Sequence, residues 1–414
     1  MKLSEDLAWR GLIKDKTFAD NSWLDNPQTF YHGVDASDNS LTIGNLAVII
    51  LARRLQDAGW KAVLLAGGAT SLIGDPGGKN TERELKSREE IEANIKGIKN
   101  QINQLFAGRE FTLVDNYDWF AGVGYLEFLR DVGKHYSMTE LMQRDFVDER
   151  MGEGGSGISY AEFSYSLVQG YDFWHLHKNH NVILQIGGSD QWGNMLSGVP
   201  LIRKKDNAEA HAMSMPLVIN KSTGVKFGKS EGGAVWLDEG KTTPTEFYQF
   251  WVNVNDEDVF DYLKIYTFLS REEIEEIERA HSPDASKRLA QVRLAQAVTE
   301  LVHGEKQRSN AEVATKYLTS QVNLSEATEA ELTELKKSIA VFGTTEGGLI
   351  PEALVATKLA ASNSDARRLL QGGAIYIDGV GVSRDKFESK DFTSGRLLLR
   401  RGKAFKDTAL IELK

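Results

Sequence analysis

The stretch QTFYHGVDASDNSLTIGNLAVIILARRLQDAGWKAVLLAGG, residues 28–68, decides the fold of this chain. It begins with a short β-prone run, 28–34, followed by polar residues and then by a segment, 46–58, that is apolar on one side, as in a helix. A second apolar run, 62–66, ends in two glycines, and the same arrangement returns at 182–188. Strand, glycine break and helix in repeated order predict a parallel sheet with helices on its faces, which is an α/β domain.

The composition places the chain among globular proteins of more than one domain. It has 414 residues, of which 41% are apolar and 26% charged. There are no cysteines, which excludes disulfides and thiolate zinc sites and favours a reducing, cytoplasmic location. The longest apolar run, Leu46–Ala52, is too short to span a bilayer, which needs about 20 residues. We expect no membrane span and no secretory signal.

The charge is distributed unevenly along the chain. The net charge is -10, yet 351–414 contains six Lys and six Arg against five Asp and three Glu, which gives +4 and leaves -14 on the remaining 350 residues. A basic terminal module on an acidic body indicates a local site for a polyanion such as RNA. The alternative is a chance excess, because eight acidic residues dilute the basic set.

We predict four regions along the chain. Residues 1–220 carry the strand, glycine and helix pattern, and 221–320 are rich in helix-start signals. Residues 321–350 are polar and acidic and are expected to form a linker, and 351–414 have a helical start followed by a β-like run.

Three helix starts are predicted in the second region. Thr243 and Ser270 each stand three residues before a glutamate, which is the pattern of a capping box. Ser282-Pro283 is predicted to open a third helix.

Three glycine-rich turns lie at the end of a predicted strand or at the start of a predicted helix. They span 41–46, 67–79 and 185–194. A glycine at such a turn lets a ligand approach the backbone, and unpaired N–H groups at a helix start favour phosphate. An acid at the end of a buried strand, such as Asp190, suits a ribose. Taken one at a time, each turn has a plainer interpretation: a tight connection at 41–46, a surface loop at 67–79, and a strand-to-helix loop with Asp190 as a helix cap at 185–194.

Two further patterns carry polar side chains. The loop 226–230, KFGKS, places two lysines beside a glycine, which suits a triphosphate, although alone it is a common exposed turn. Tyr165, Gln169 and Asp172 follow the i, i+4, i+7 spacing of one helix face. That face is either exposed or binds a polar amino acid.

Together these patterns resemble class I aminoacyl-tRNA synthetases, and most closely the bacterial tyrosyl-tRNA synthetases. The strings that carry the resemblance are GDPGGK (74–79), NYDW (116–119), FLRDVGKH (128–135), EFSYSLVQGYDF (162–173), LQIGGSDQWGN (184–194), KFGKSEGGAVWLD (226–238) and EFYQFWVN (246–253). The resemblance covers nearly the whole chain. It implies a Rossmann-like parallel-sheet catalytic domain with a dimer-interface insertion at about 117–151, a helical anticodon-binding domain and a small α+β S4-like RNA-binding domain at 351–414.

The resemblance also implies a role for individual residues. The phenol of L-tyrosine would meet Tyr31 and Asp172, and its ammonium would meet Asp75, Tyr165 and Gln169. Residues expected at the nucleotide or the carboxylate are Gly33, Asp35, Gly44, Gly188, Asp190 and Gln191. Residues expected to act on the phosphates are Thr42, Asn45, Lys79, Arg83, Lys226, Lys229 and Ser230. Candidate RNA contacts are Lys358, Arg367, Arg368, Arg396, Arg400, Arg401 and Lys403.

The chain departs from the family at its first signature, usually HIGH. It reads Thr42-Ile43-Gly44-Asn45 here. Threonine cannot carry charge but can donate through its hydroxyl, and a lost donor costs about 3 kcal/mol of transition-state binding. His32 is a residue that could partly replace the missing imidazole, or else a surface histidine.

The resemblance implies an enzyme that activates L-tyrosine with ATP and transfers it to tRNA(Tyr). Mg2+ would accompany ATP, and no protein-bound metal is expected. A homodimer is implied as well, with the apolar residues Trp119, Phe120, Leu126, Phe128, Leu129 and Phe146 suiting either an interface or a core. Two alternatives remain open, namely an RNA-binding paralogue with weakened catalysis and an enzyme for another aromatic amino acid such as tryptophan.

Overall fold

The computed structural model describes residues 1–75, 86–142, 147, 150–151, 157–221, 224, 227–230, 233–318, 324–402 and 407–414, with the backbone alone at 140, 229 and 230. The chain forms two compact units. The first consists of Met1–Asp238 and Asn255–Glu278, and the second of Glu239–Val254 and Arg279–Lys414. The predicted bounds at 220, 320 and 350 therefore differ from the division that the contacts within the chain produce.

The helices and strands have the following bounds. The elements as far as residue 234 are α1 (Leu3–Trp9), β1 (Thr29–Asp35), α2 (Ile43–Asp57), β2 (Lys61–Gly67), α3 (Gly68–Ile73), α4 (Arg88–Leu105), β3 (Phe111–Asp115), α5 (Tyr117–Phe120), α6 (Tyr125–Asp131), α7 (Met138–Met142), α8 (Tyr160–His180), β4 (Val182–Gly188), α9 (Trp192–Met195), α10 (Gly198–Asp206), β5 (His211–Met215), β6 (Lys229–Ser230) and β7 (Gly233–Ala234). The remaining elements are α11 (Pro244–Val252), α12 (Val259–Tyr266), α13 (Arg271–His281), α14 (Leu289–Leu318), α15 (Glu329–Ser338), β8 (Ala340–Thr344), α16 (Ile350–Ala356), α17 (Asn363–Gln371), β9 (Ile375–Ile377), β10 (Val380–Val382), β11 (Arg396–Arg401) and β12 (Thr408–Leu413).

A five-stranded parallel sheet forms the centre of the first unit. Its strand order is β3-β2-β1-β4-β5, which confirms the predicted parallel α/β arrangement. The chain proceeds outward from β1 in one direction through β2 and β3, and in the other through β4 and β5. A crevice opens at the carboxyl ends of the strands where the direction changes, and ligands bind there in sheets of this class.

The two faces of strand β1 serve different neighbours. Tyr31 packs with Val63 and Leu65 of β2 and with Phe173 and Leu176 of α8, so α8 covers the face toward which Tyr31 points. Side chains alternate along a strand, so His32 points toward the opposite face.

A buried ion cluster fixes the amino-terminal helix α1 to the first unit. The Asp6 carboxylate accepts hydrogen bonds from Arg10 Nε at 2.8 Å and from Arg54 Nη1 of α2 at 3.2 Å. Arg10 also donates to the carbonyls of Lys264 and Leu269, at 2.9 and 2.7 Å. The cluster therefore connects α1 and α2 to the chain at the end of α12.

The second unit combines helices with a five-stranded sheet of order β10-β9-β11-β12-β8. A core of buried apolar side chains lies between that sheet and helices α16 and α17, including Ile350, Leu354, Leu370 and Leu399. Helix α14 is interrupted at Gly304, whose φ is +83°.

The segment 321–350, expected to be a linker, contains regular structure. It includes α15 and β8, and β8 pairs in parallel with β12. Leu332 and Leu335 of α15 are buried against Leu398 and Leu410 of the sheet. The described part of this segment therefore belongs to the fold of the second unit.

Two of the three predicted helix starts are present. The hydroxyls of Thr243 and Ser270 each accept a hydrogen bond from the backbone N–H of the glutamate three residues later. The carboxylate of that glutamate in turn accepts a hydrogen bond from the backbone N–H of Thr243 or Ser270. The third was wrong, because α14 begins at Leu289 rather than at Ser282-Pro283. A 3-10 turn at Ala285–Lys287 and the left-handed Arg288, φ +52°, intervene.

Among the described residues, no helix is long and apolar enough to cross a membrane. No group of three or more His, Asp or Glu in the described part of the chain is placed to hold a metal ion.

Candidate active site

A cavity of about 280 Å³ opens at the carboxyl ends of β1 and β4. It brings together thirteen of the residues predicted from the sequence. They are Tyr31, Gly33, Asp35, Thr42, Gly44, Asn45, Asp75, Tyr165, Gln169, Asp172, Gly188, Asp190 and Gln191. Lys79, Arg83 and Lys226 lie outside the described residues, as do the side chains of Lys229 and Ser230.

One end of the cavity is built around the buried carboxylate of Asp172. Its Oδ2 accepts a hydrogen bond from Asn116 Nδ2 at 3.0 Å, and its Oδ1 accepts one from Trp119 Nε1 at 2.9 Å. The Tyr31 hydroxyl lies in the same cavity and has no hydrogen-bond partner among the described residues. A buried hydroxyl without a hydrogen-bond partner destabilises the folded protein, and a ligand that supplies the partner removes that cost. This end therefore suits a polar group at the tip of a flat ligand.

Burial controls the protonation of this end of the cavity. It raises the pKa of Asp172 to about 8, against the opposing effect of the donors Asn116 and Trp119. Burial and the charge of Asp172 also raise the pKa of the Tyr31 phenol well above its ordinary value. Tyr31 is therefore a neutral hydrogen-bond donor throughout the neutral range.

A second set of polar groups surrounds Asp35 at the end of β1. Asp35 Oδ2 accepts the Tyr165 hydroxyl at 2.8 Å, and Oδ1 accepts the Thr70 hydroxyl at 2.7 Å. Tyr165 is buried, which raises the pKa of its phenol well above the ordinary value and keeps it neutral. Because its proton is directed to Asp35, the oxygen of Tyr165 is left as an acceptor, which suits an ammonium.

The carboxylate of Asp75 is held by two amides. Gln191 Nε2 donates to Oδ2 at 2.5 Å, and Asn194 Nδ2 donates to Oδ1 at 3.3 Å. Asp35, Asp75, Asp172 and Asp190 thus line one small cavity. A cation such as an α-ammonium is the ligand group that this set favours.

The two polar residues of the first signature, Thr42 and Asn45, are hydrogen-bonded to each other. The Thr42 hydroxyl donates to Asn45 Oδ1 at 2.9 Å, and the Thr42 N–H donates to the same oxygen at 3.0 Å. The Thr42 proton, which the sequence suggested as a donor to ligand, is therefore engaged within the protein. Asn45 has its amide oxygen occupied, so the group that it offers to a ligand is its NH2.

His32 lines the cavity as a neutral side chain. Burial lowers the pKa of His32 to about 4. Its Nδ1 lies 3.3 Å from the carbonyl oxygen of Ile186, which can only accept, so Nδ1 carries the proton and Nε2 is an acceptor. A neutral acceptor cannot replace the cationic donor that a signature histidine would offer to phosphate, which corrects the idea that His32 compensates for Thr42.

The second signature lies against the start of helix α2. Gly228 has φ +101°, and a Cβ there would stand 2.9 Å from Ile43 Cγ1. The Val235 N–H donates to the Gly228 carbonyl at 3.0 Å, and the Ile43 N–H donates to the Val235 carbonyl at 3.1 Å. The backbone that follows Phe227 is thus joined directly to the first signature.

Four residues of the site were missed by the sequence interpretation. Asn116 stood out only as part of a family string, and Trp119 was interpreted as an apolar interface or core residue. Thr70 and Asn194 were not singled out. Asn116 directly follows strand β3, so its place at the carboxyl end of a strand was the available signal.

Comparison with known proteins gives consistent results. The chain matches the family model described as tRNA synthetases class I (W and Y) over residues 24–319. It is 42% identical to Tyrosine--tRNA ligase 1 of Streptococcus thermophilus over 97% of this chain and 98% of that protein. It is 41% identical to the Tyrosine--tRNA ligase of Streptococcus suis over the same shares. Among solved structures, the C-terminally truncated mitochondrial tyrosyl-tRNA synthetase of Aspergillus nidulans matches with a TM-score of 0.67 at 31% identity, covering 77% of this chain and 94% of that one.

Proposed function

This chain belongs to the tyrosyl-tRNA synthetases, within the class I family that serves tryptophan and tyrosine, and from that premise we propose that it activates L-tyrosine with ATP and transfers it to tRNA(Tyr). One observation supports the proposal above all others. A single cavity holds the carboxylate of Asp172 and the phenol of Tyr31, which has no hydrogen-bond partner among the described residues, together with three further acids and the amino terminus of α2.

The proposed roles follow the chemistry of each group. Tyr31 donates to the substrate phenol oxygen, and Asp172 accepts the phenol proton. Asp75, Tyr165 and Gln169 bind the α-ammonium, and the Gly188–Asp190 turn receives the ribose. An indole cannot satisfy both Tyr31 and Asp172, which disfavours tryptophan as the substrate.

The chemical step needs orientation and charge stabilisation rather than a base. A carboxylate oxygen of tyrosine attacks the α-phosphorus of ATP, a new P–O bond forms, and the bond to pyrophosphate breaks. The nucleophile is already an anion, so no proton has to be removed. Magnesium arrives with ATP as part of the substrate. We assign Asn45 to the phosphates, together with Lys79, Arg83, Lys226, Lys229 and Ser230, as the family resemblance implies.

Amino-acid-dependent ATP–pyrophosphate exchange tests this function. Purified protein is assayed with tyrosine, phenylalanine and tryptophan side by side, and exchange with tyrosine alone is expected. Tyrosyl-tRNA synthetases are themselves the established example of rejecting phenylalanine by a factor of about 10⁵ without editing, so that factor is a known property of the family. Absence of exchange in a folded protein that still binds tRNA would instead favour the RNA-binding paralogue.

We also infer a homodimer in the cytoplasm. Tyr125, Leu126, Met138 and Tyr160 are more than half exposed in the single chain, and Leu126 reaches 78%. These residues fall in or beside the predicted insertion at 117–151, and a second copy of the chain is the partner that the family resemblance implies for them.

The close approach of Gly228 to helix α2 makes it sensitive to substitution. Gly228→Ala should lower kcat in the exchange assay by about tenfold, because positive φ strains an L-residue by about 1–2 kcal/mol and the new Cβ collides with Ile43. Gly224→Ala is the matched control, since Gly224 also has positive φ, +67°, but no atom within 4 Å of its Cβ position. Equal losses in the two variants would show that backbone strain alone is responsible.

The terminal module 351–414 is proposed to bind tRNA through exposed arginines of α17. Arg367 and Arg368 are 60% and 80% exposed, and among the described residues they pair with Asp385 and Asp365. Arg401 differs, because it donates to the carbonyl of Leu359 and pairs with Asp407, so part of its role is structural. The domain assignment and the anticodon role of 221–320 remain proposals.

Replacing both Arg367 and Arg368 by glutamine should weaken tRNA charging about tenfold or more while leaving pyrophosphate exchange unchanged. Each lost phosphate contact removes a salt-dependent contribution to binding, so the slope of affinity against salt should also fall. The double lysine variant, which keeps both charges, is the control. A loss of exchange equal to the loss of charging would contradict a tRNA role.

A further inference from the structure

A hydrogen-bonded bridge of neutral side chains connects the carboxylates of Asp35 and Asp172. The Asn116 amide donates one N–H to Asp172 Oδ2 at 3.0 Å and the other to the Thr70 hydroxyl at 3.2 Å. Thr70 in turn donates its proton to Asp35 Oδ1 at 2.7 Å. Thr70 and Asn116 are both buried, at 3% and 0% exposure.

The fold makes room for this bridge and fixes its direction. The Asn116 amide oxygen accepts the Ala69 N–H at 2.7 Å, so its NH2 must face Thr70 and Asp172. Gly67 leaves the necessary space, because a Cβ there would lie 2.3 Å from Thr70 Oγ1 and 2.6 Å from Asp35 Oδ1. The hydrogen bonds therefore have one direction, because Asn116 donates to Thr70 and Thr70 donates to Asp35.

Two like charges in one small cavity oppose each other's ionisation, and donors between them relieve that opposition. We propose that Thr70 is a positioning residue for tyrosine activation, whose hydroxyl orients Asp35 and, through Asn116, favours the joint ionisation of Asp35 and Asp172. The inference rests on the proposed function. It adds that Asp172, which recognises the phenol, and Asp35, which lies beside the ammonium site, are coupled through the hydroxyl of Thr70.

Substitution of Thr70 by valine removes the hydroxyl and keeps the shape of the side chain. In pyrophosphate exchange, Thr70→Val should lower kcat/KM for tyrosine about 10- to 100-fold, the range for a hydrogen bond to a charged group. Thr70→Ser keeps the hydroxyl and should stay within about threefold of the parent, since it loses one methyl group. Equal losses in the two variants would overturn the proposal in favour of a packing role.

A second readout needs no enzymatic activity. Trp119 Nε1 donates to Asp172, so the tryptophan emission should change with pH as Asp172 ionises. The part of that change which is absent in Asp172→Asn reports the ionisation of Asp172. His175 stacks on Trp119 at 4.3 Å, but burial lowers the pKa of His175 below its ordinary value, which leaves the range above pH 7 clear. Among the described residues, the titratable groups that act on Asp172 or are influenced by it include Asp35, Asp115, Tyr31, Tyr165 and Tyr171.

The titration has a defined direction. Removing the Thr70 hydroxyl takes a hydrogen-bond donor from the Asp35–Asp172 pair. The loss destabilises the state with both carboxylates ionised more than the state with one of them protonated. The upper ionisation step should therefore move to higher pH. Thr70→Ser should titrate like the parent. An unmoved titration in Thr70→Val would overturn the bridge, even if activity falls. Because emission is measured without substrate, this result is separate from any failure of the parent protein to use tyrosine.

Discussion

Asp172→Asn should lower kcat/KM for tyrosine in pyrophosphate exchange by about 100-fold or more. Both carboxylate oxygens of Asp172 accept N–H donors, from Asn116 and Trp119. An amide offers one acceptor in place of two, so a buried N–H would face another N–H, and the acceptor for the phenol proton would be lost. The loss should appear in the response to tyrosine, with KM for ATP little changed.

Asp206→Asn is a matched control for this variant. Asp206 also accepts an indole N–H, from Trp174 Nε1 at 2.7 Å, but it does not line the cavity. We expect its exchange activity to equal that of the parent. If Asp206→Asn lost as much activity as Asp172→Asn, disturbance of an indole contact rather than loss of the phenol acceptor would explain both.

The same substitution should change how stability depends on pH. Burial raises the folded-state pKa of Asp172 to about 8, above its ordinary value of 3.8. Folding therefore takes up a proton between these values, so this group's contribution is fully present below about pH 4 and is lost as pH rises through 8. In Asp172→Asn, the fall in melting temperature across this range should be smaller. An unchanged slope would contradict a protonated Asp172 in the empty site.

The largest effect on stability is expected at Asp6. Its carboxylate lies between Arg10 and Arg54, whose side chains are 2% and 8% exposed. Burial lowers the pKa of Arg54 to about 10, and the charge of Arg10 acts in the same direction. Asp6→Ala leaves two buried guanidinium groups facing each other, which should lower the free energy of unfolding by about 3–5 kcal/mol. Urea unfolding measures this quantity directly.

Asp57→Ala provides the comparison for Asp6. Asp57 pairs with Arg109 at the surface, where the two side chains are 46% and 25% exposed. Exposed pairs contribute about 0–1 kcal/mol because water screens them and both side chains lose freedom. The prediction for Asp6 fails if the two variants unfold at similar urea concentrations.

Local sequence patterns were sufficient for the elements that carry their own signals. The run 62–66 and the glycines after it indicated a buried strand and its carboxyl end, which the structure has as β2. Tyr165, Gln169 and Asp172 were placed on one helix face by spacing, and all three line the cavity. These predictions depend on neighbours within a few turns of chain.

Other features depend on partners that are distant in the sequence. Strand β8 pairs with β12, which follows it by nearly 70 residues, so its polar surroundings gave the appearance of a linker. Trp119 is apolar in composition, yet its indole N–H is directed to Asp172 on another helix. Only the fold shows that direction, because a side chain's hydrogen-bond partner is not encoded in local periodicity.

The hydrogen bonds between Thr42 and Asn45 have a consequence for protein engineering. The N–H and the hydroxyl of Thr42 both donate to Asn45 Oδ1, so the two positions form one hydrogen-bonded unit. Replacing either residue alone by histidine removes at least one of these bonds and changes the surroundings of the residue that remains. The effects of the two single replacements should therefore not add up to the effect of the double replacement.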